Sequence, residues 1–442
     1  MNVLNKNVNN MFFIFALSHL LIWTIIPSIT NKNLPLDVIE ALAWGSNLDW
    51  GFDKHPPGSA FFPEVFFQLF GAQDWAYYFL SSSFVVIAFY YVFKLANEIL
   101  LNKHLSLLSV LILESIYFYN FTTPEFNVNV CQLPFWSLVI FFSWKIFSSK
   151  DINIKDCFFL GLFAAIGFLS KYLFIYLLIS IVLFFIYVIF FKKIKKFDFK
   201  YIIILEIFLV LLVPHFLWLN DNEFITISYG LERAGLIDAS VINHFQQPFI
   251  FLTKQIVILL PFFLLIWLLV KKTKIRIKLN LKDKKLLFLL ATNILPIFLI
   301  FITSVITGSK IRTMWMTPFY LFIGILFVYI FQIQINLKKI NSFLYSFLIL
   351  FFLSPAIYSY ISLTQVDKRT DYPGKEIAYK VQTIWDQDFD KEIEFVTGDE
   401  WKAGNLSYHL KSRPKWEGKN HNELLNKSSQ FLCIDEVCLG RY

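Results

Sequence analysis

The stretch YLFIYLLISIVLFFIYVIFF, residues 172–191, contains twenty consecutive residues without a charged side chain. An α-helix rises about 1.5 Å per residue, so a helix of this length covers the roughly 30 Å of hydrocarbon in a bilayer. A helix that is apolar on every side needs lipid or a large core around it. The stretch therefore predicts a membrane-spanning helix.

The composition of the whole chain is that of a polytopic membrane protein. Of its 442 residues, 57% are hydrophobic and 16% are charged, whereas soluble domains have about 45–50% and about 25%. Only 15 Gly and 15 Pro are present, which excludes collagen-like and low-complexity disordered classes. The net charge of +8 is spread over many loops rather than gathered on one face, so we expect no nucleic-acid partner.

Ten further apolar runs resemble the first. The eleven predicted spans lie at 12–29, 75–93, 105–119, 131–149, 157–170, 172–191, 201–219, 248–270, 286–307, 314–332 and 341–361. The run nearest the amino terminus, 12–29, is longer than the apolar core of a signal peptide and lacks a cleavage site, so we expect it to remain as a membrane anchor. The predicted fold class is an all-α membrane domain over residues 1–361.

The loops between the spans indicate the orientation. Lys and Arg are retained on the cytoplasmic side of a membrane. One alternating set of loops carries twenty of them, including the cluster at 271–285, and the other set carries six. We therefore expect a cytoplasmic amino terminus, basic clusters in contact with anionic lipid, and outward loops at 30–74, 120–130, 220–247 and 308–313.

The more polar tail, residues 362–442, would also face outward. Its pattern predicts a small α/β domain with helices at 373–386 and 402–411 and strands at 392–397 and 431–434. Cys433 and Cys438 flank four residues, a spacing that places two thiols opposite each other across a tight hairpin. In a periplasmic tail they could form a disulfide.

The first outward loop carries charges that membrane topology does not explain. A helix beginning near Pro35 would place Asp37, Glu40 and Trp44 on one face. The neighbouring Leu36, Ile39 and Ala43 would then lie against the membrane surface. Further along, Asp53-Lys54-His55-Pro56-Pro57 packs an anion, a cation and an imidazole into a stiff turn.

Later outward loops add isolated charged groups: Glu125, Lys171, Arg233 and Arg312. Such a set suits group transfer from a lipid-linked phosphate. Basic groups neutralise the departing phosphate, and a carboxylate accepts the proton of an acceptor hydroxyl. The sequence contains no Walker-type loop and no dinucleotide-binding glycine fingerprint, which disfavours a nucleotide-driven pump.

Several motifs together resemble one family. They are Asp37-x-x-Glu40 with Trp44, Gly51-Phe52-x-Lys54-His55-Pro56-Pro57, Glu125-Phe126-Asn127-x-Asn129, Ser170-Lys171-Tyr172, Pro214-His215-x-x-Trp218, Glu232-Arg233, Arg312-x-x-Trp315 and Gly398-Asp399-x-Trp401. In this order they resemble the GT-C glycosyltransferases that use polyprenyl-phosphate sugars, within the protein O-mannosyltransferase superfamily. RgtA-like and ArnT-like members are the most similar.

The resemblance implies roles for individual residues. A first-loop aspartate is central to catalysis in this family, so Asp37 would activate the acceptor, with Glu40 as a second catalytic carboxylate. The donor phosphate would be bound by Lys54, His55, Lys171, Arg233 and Arg312. The acceptor or the sugar would contact Trp44, Asp53, Glu125 and Asn127.

The resemblance also implies partners and a location. The enzyme would take a sugar from a polyprenyl phosphate, such as undecaprenyl phosphate, and transfer it with inversion to lipid A, to the lipopolysaccharide core or to another envelope glycan. It would lie in the bacterial inner membrane with its site at the periplasmic face. No cofactor is required by the sequence, and a divalent metal is left open, with Asp53 and His55 as its candidate ligands.

A transporter or a flippase of lipid-linked glycans is the alternative. Such a protein would carry ionisable residues near the midplane of the membrane and two related halves. The predicted spans contain few charges apart from Glu114 and Glu206, and no internal repeat is visible. An O-antigen ligase or polymerase would also have many spans, but its large loop would come late in the chain.

Overall fold

The computed structural model describes residues 2–236, 240–270, 280–335, 340–418, 428, 430–434 and 436–442. Two basic segments that contribute to the predicted orientation, 271–278 and 338–339, lie outside these residues. The described chain is mostly helical and ends in a small sheet.

Seventeen α-helices occur in the described part of the chain. They are α1 (Asn2–Thr30), α2 (Leu36–Gly45), α3 (Gly58–Phe70), α4 (Asp74–Leu100), α5 (Lys103–Leu111), α6 (Val128–Cys131), α7 (Leu133–Ser148), α8 (Ile154–Ser170), α9 (Ile175–Ile186), α10 (Tyr201–Asp221), α11 (Ile225–Arg233), α12 (Asn243–Leu269), α13 (Lys284–Thr307), α14 (Ile323–Phe331), α15 (Ile340–Thr364), α16 (Gly374–Asp388) and α17 (Lys402–His409).

Eight helical segments among the described residues are long and apolar enough to cross a membrane. The 3₁₀-helix Thr313–Tyr320 and α14 meet at an angle of 53°. Counted together as one broken span, they are the ninth such segment. The other two predicted spans are also helical. The run at 105–119 is α5 followed by two 3₁₀ turns, and the run at 157–170 lies in the 17-residue α8. The all-α membrane fold is confirmed, while the count of eleven stays a prediction.

A fully buried ionisable pair links α1 to the turn after α5. Glu114, in the 3₁₀ turn that follows α5, lies 3.2 Å from Nδ1 of His19 on α1, and both side chains are buried. Charged groups in a span are costly unless they are paired. The pair therefore joins α1 to the point where the third predicted span is broken.

The tail folds into the predicted α/β domain. Its strands are β1 (Phe395–Thr397), β2 (Lys415–Trp416), β3 (Gln430–Ile434) and β4 (Val437–Arg441), in the sheet order β2-β1-β4-β3. The predicted helices and strands correspond to α16, α17, β1 and β3. Cys433 and Cys438 are opposite each other in the β3–β4 hairpin and form a disulfide.

The apolar face of α2 is covered by the tail. A Cβ atom added to Gly404 on α17 would lie 3.0 Å from Ile39 and 3.1 Å from Ala43. The expectation that Ile39 and Ala43 lie against the membrane surface is therefore wrong, because α17 takes that place. Leu36, expected beside them, lines an internal cavity instead.

A buried ion pair fastens the tail to the first loop. Arg413 donates to Oε2 of Glu64 on α3 at 2.7 Å and to the carbonyl oxygen of Leu42 on α2 at 2.6 Å. Its guanidinium also lies 4.2 Å from the ring centre of Phe67. Charges that are removed from water need such partners. The first loop and the tail are therefore packed against each other through a shared ion pair.

We expect Glu64→Ala to lower the free energy of unfolding by about 3 kcal/mol, because Arg413 would stay buried without its carboxylate. Thermal unfolding of the detergent-solubilised protein measures this as a lower melting temperature. Glu436→Ala is the control, since it removes a carboxylate of the tail that is solvent-exposed and pairs with Lys402. Equal melting temperatures for Glu64→Ala and the parent protein would contradict the assignment.

Candidate active site

A cavity of about 450 Å³ lies where the first loop meets the outward ends of the helices. Its wall is formed by α2, the turn after Asp53, the start of α6, the segment between α8 and α9, α11 and the loop before the 3₁₀-helix Thr313–Tyr320. Seven predicted site residues line it: Asp37, Glu40, Lys54, His55, Lys171, Arg233 and Arg312. The fold thus brings together groups from five separate segments of the sequence.

Asp37 lies in the first turn of α2 among other acids. Its backbone N–H donates to Oε1 of Glu125 at 3.1 Å, which places the two carboxyl groups close together. Burial, with the nearby charges of Glu125 and Glu40, raises the pKa of Asp37 to about 8, against the opposing effect of Lys54 and Lys171. Burial also raises the pKa of Glu125. Asp37 therefore exchanges its proton near neutral pH.

Lys54 is held by two carboxylates. Its Nζ lies 2.9 Å from Oε1 of Glu40 and 3.2 Å from Oε1 of Glu400. Burial lowers the pKa of Lys54, but Glu40 and Glu400 outweigh burial and raise it above its ordinary value. Glu400 belongs to the tail, and sequence reasoning missed it although it lies inside the motif Gly398-Asp399-x-Trp401.

Lys171 is buried between α8 and the 3₁₀ turn Tyr172–Phe174. Its Nζ donates to Oδ1 of Asn129 at 2.6 Å and lies 5.1 Å from the ring centre of Trp315. Burial lowers the pKa of Lys171 to about 7, and Arg312 adds to this while Asp37 opposes it. A bound anion would favour the charged form of this amine.

His55 faces three cations. Burial, together with Lys171, Lys54 and Arg233, lowers the pKa of His55 to about 3. Its ring meets Trp44 edge-on, with 6.0 Å between centroids. The sequence placed His55 among the phosphate-binding groups. In the structure its imidazole is neutral at pH 7 and can offer a hydrogen bond but no charge.

Arg233 and Arg312 supply permanent charge. Arg233 ends α11, and Arg312 directly precedes the 3₁₀-helix. Burial and the neighbouring Arg233 lower the pKa of Arg312, although a guanidinium stays protonated throughout the physiological range. The backbone N–H of Lys310 donates to the carbonyl oxygen of Ala234 at 2.9 Å. This hydrogen bond joins the loop that carries Arg312 to the end of α11, which carries Arg233.

Other predicted contacts with the acceptor or the sugar lie outside the cavity. Asp53 is exposed, because the turn directs it to solvent. The side chain of Asn127 caps α6 by accepting from the N–H groups of Asn129 and Val130. Trp44 is 2% exposed and stacks on Phe52 in the core shared with the tail. Trp44 and Asn127 thus have structural contacts and Asp53 faces solvent, whereas Glu125 adjoins the site through Asp37; contacts of these residues with an acceptor or a sugar stay predictions.

The predicted metal ligands do not form a cluster. Asp53 is exposed, whereas His55 lines the cavity. Among the residues that the structure describes, no group of three or more His, Cys, Asp or Glu side chains is placed to hold a metal ion.

The fold and the cavity define a polytopic membrane protein with a charged site under a small C-terminal domain. A comparison with solved structures finds this architecture in ArnT from Cupriavidus metallidurans. The crystal structure bound to undecaprenyl phosphate aligns with a TM-score of 0.62 at 14% identity, over 94% of this chain and 86% of that one. The apo structure gives 0.59 at 13% identity, over 93% and 86%.

The sequence of residues 54–218 matches the model of the dolichyl-phosphate-mannose-protein mannosyltransferase family. The matched region includes Lys54, His55, Glu125 and Lys171 but begins after Asp37. No curated protein matches the chain in a sequence search. The family match and the shared fold confirm the ArnT-like GT-C resemblance that the sequence motifs predict.

Proposed function

We propose that the protein transfers a sugar from a polyprenyl phosphate to a hydroxyl group of an envelope glycan, which is lipid A, the lipopolysaccharide core or another glycan. One observation carries this proposal. A single cavity holds a carboxyl group whose pKa is near 8 together with four basic side chains. Undecaprenyl phosphate, bound in the ArnT structure of the same fold, supports the choice of donor.

The basic side chains would receive the phosphate. As the bond between the anomeric carbon and the phosphate oxygen breaks, negative charge develops on that oxygen. Preorganised cations at such a point stabilise the transition state. Arg233, Arg312, Lys171 and Lys54 can supply this charge, and the neutral imidazole of His55 can donate one hydrogen bond. A phosphate is a weakly basic leaving group, so no general acid is needed.

Asp37 would act as the general base. It takes the proton of the acceptor hydroxyl while the acceptor oxygen bonds to the anomeric carbon from the face opposite the phosphate, which inverts the configuration. A base works best when its pKa is close to the operating pH. Burial, with the acidic neighbours Glu125 and Glu40, brings the pKa of Asp37 into that range, whereas an aspartate in water would be a much weaker base.

The side of the membrane follows from the charges of the loops. The cavity is built from the loops that carry few basic residues, and these loops are expected on the periplasmic side. A disulfide between Cys433 and Cys438 suits an oxidising compartment. Both observations support a site at the periplasmic face of a bacterial inner membrane, with a cytoplasmic amino terminus.

We expect Asp37→Asn to abolish transfer while the protein still folds, because the amide cannot accept the acceptor's proton. The gene is deleted in the source cell and the strain is complemented with each variant. The masses of its lipid A and core oligosaccharide are then measured by mass spectrometry. The wild type and Asp49→Asn, a control at an exposed carboxylate of the same loop, should restore one sugar mass that Asp37→Asn does not. Restoration by Asp37→Asn would refute its role, and a deletion strain with unchanged glycans would refute the proposed acceptors.

We expect a narrow bell-shaped dependence of kcat/KM on pH. Below its pKa of about 8, Asp37 gains a proton and the base is lost, so the rate falls as the pH decreases. Above its pKa of about 7, Lys171 loses the proton that carries its charge, so the rate falls as the pH increases. The maximum should lie between pH 7 and 8 when the purified enzyme acts on its donor.

Lys171→Arg provides the control for this profile. A guanidinium keeps its proton across the measured range, so the alkaline decline should disappear while the acidic decline remains. A rate that does not change between pH 5 and pH 7 would contradict the role of Asp37.

A further inference from the structure

We propose that Glu400, in the C-terminal domain, is a positioning residue that holds Lys54 for the donor phosphate, so that this domain completes the active site. The inference rests on the proposed function, because it concerns the phosphate-binding role of Lys54. It assigns to residues 362–442 a part in the reaction itself, rather than in covering the membrane domain.

The backbone around Glu400 is tightly fixed. Gly398 has a φ of +139°, which L side chains rarely adopt, and its carbonyl oxygen accepts from Nε1 of Trp416 at 3.1 Å. The carboxylate of Asp399 accepts from the N–H groups of Trp401 and Lys402, each at 2.8 Å. Glu400 is thus held in one place at the start of α17.

The packing of α17 on α2 brings this place to the cavity. Gly404 allows the two helices to approach closely, since its missing Cβ would meet Ile39. Asn33 donates to Asn405 at 2.9 Å and Trp416 N–H donates to Ser46 at 2.9 Å. These contacts bring the carboxylate of Glu400 within ion-pair distance of the ammonium group of Lys54, which also pairs with Glu40. Glu40 and Glu400 are 360 positions apart in the sequence.

The contact with Lys54 has the features of a positioning interaction. Glu400 is only 5% exposed, so its carboxylate lies inside the protein rather than in solvent. An ammonium group has three N–H donors. Glu40 and Glu400 take two of them, from two different elements of the fold, and the third is available for an anion in the cavity. The long side chain of lysine would otherwise sample many rotamers.

The two carboxylates also keep Lys54 charged. Lys171 has a single neutral hydrogen-bond partner in Asn129 and loses much of its proton affinity on burial, whereas Lys54 does not. With Glu40, Glu400 would therefore keep Lys54 charged near neutral pH, alongside the permanent charges of Arg233 and Arg312.

The test is a double-mutant cycle on the binding of undecaprenyl phosphate to the purified full-length protein in nanodiscs. The variants are Glu400→Gln, Lys54→Met and the two combined, with Glu436→Gln as the control. Glu436 belongs to the same domain, and its carboxylate pairs with Lys402 at the surface. Such cycles separate an interaction from two independent effects.

We expect Glu400→Gln to raise the Kd about tenfold, the loss of one charge-assisted hydrogen bond, and Glu436→Gln to leave it unchanged. In the Lys54→Met background, Glu400→Gln should change the Kd less than about twofold. Glu400→Asp should recover part of the affinity. If Glu400 had a purely structural role, Glu400→Gln would instead lower the melting temperature and would raise the Kd by the same factor with Lys54 and with Met at position 54.

Three results would overturn the inference: an additive loss, no loss, or tighter binding of the lipid by Glu400→Gln, which would mean that Glu400 competes with the phosphate for Lys54. The proposed function fails in a different way. Wild-type affinity in Lys54→Met and Arg312→Gln alike would show that the cavity does not bind the phosphate at all.

Discussion

Asp37, Lys171 and Lys54 line one cavity, and the pKa of Asp37 depends on its burial and on the charges around it, including those of both lysines. An isolated charge in such a place would be expelled or neutralised, because desolvation costs more than a protein can offset without a partner. Here the acids of α2 face basic groups from four other segments of the chain. The first loop, the outward ends of the helices and the tail must all be in place before the charges balance.

This mutual dependence explains how the cavity could serve group transfer. Burial raises the pKa of Asp37 and lowers the pKa of Lys171, so the pKa values of an acid and a base in the same cavity approach each other. An arriving phosphate would favour protonated Lys171 and leave Arg233 and Arg312 as a preformed anion-binding wall. The site is thus prepared for an anionic lipid and a neutral hydroxyl.

Much of this arrangement could be predicted from the sequence. The apolar runs predict the class of fold, and the outward charges at Asp37, Lys54, Lys171 and Arg312 indicate a site because membrane topology does not explain them. The errors concern distances between remote segments. Trp44 turned out to be core because the tail covers it, and Glu400 was missed because nothing local connects it to Lys54. Periodicity shows which face of α2 is apolar but not which element covers that face.

The C-terminal domain changes how the molecule should be divided. Its core includes Ala43, Trp44 and Phe52 of the first loop, and its Arg413 reaches the backbone of α2. A boundary drawn near residue 362 separates membrane helices from a polar tail, but the first loop packs with that tail. The natural unit for the chemistry is therefore the first loop together with the C-terminal domain, seated on the membrane helices.

The account depends most directly on where a lipid phosphate binds, and a structure of the protein with undecaprenyl phosphate would show this. We predict that the phosphate lies in the cavity within hydrogen-bond distance of Arg312 and Lys171, with the carboxylate of Asp37 facing the opposite side of the reacting carbon. A phosphate bound elsewhere, with the cavity empty or filled by lipid chains alone, would contradict the account.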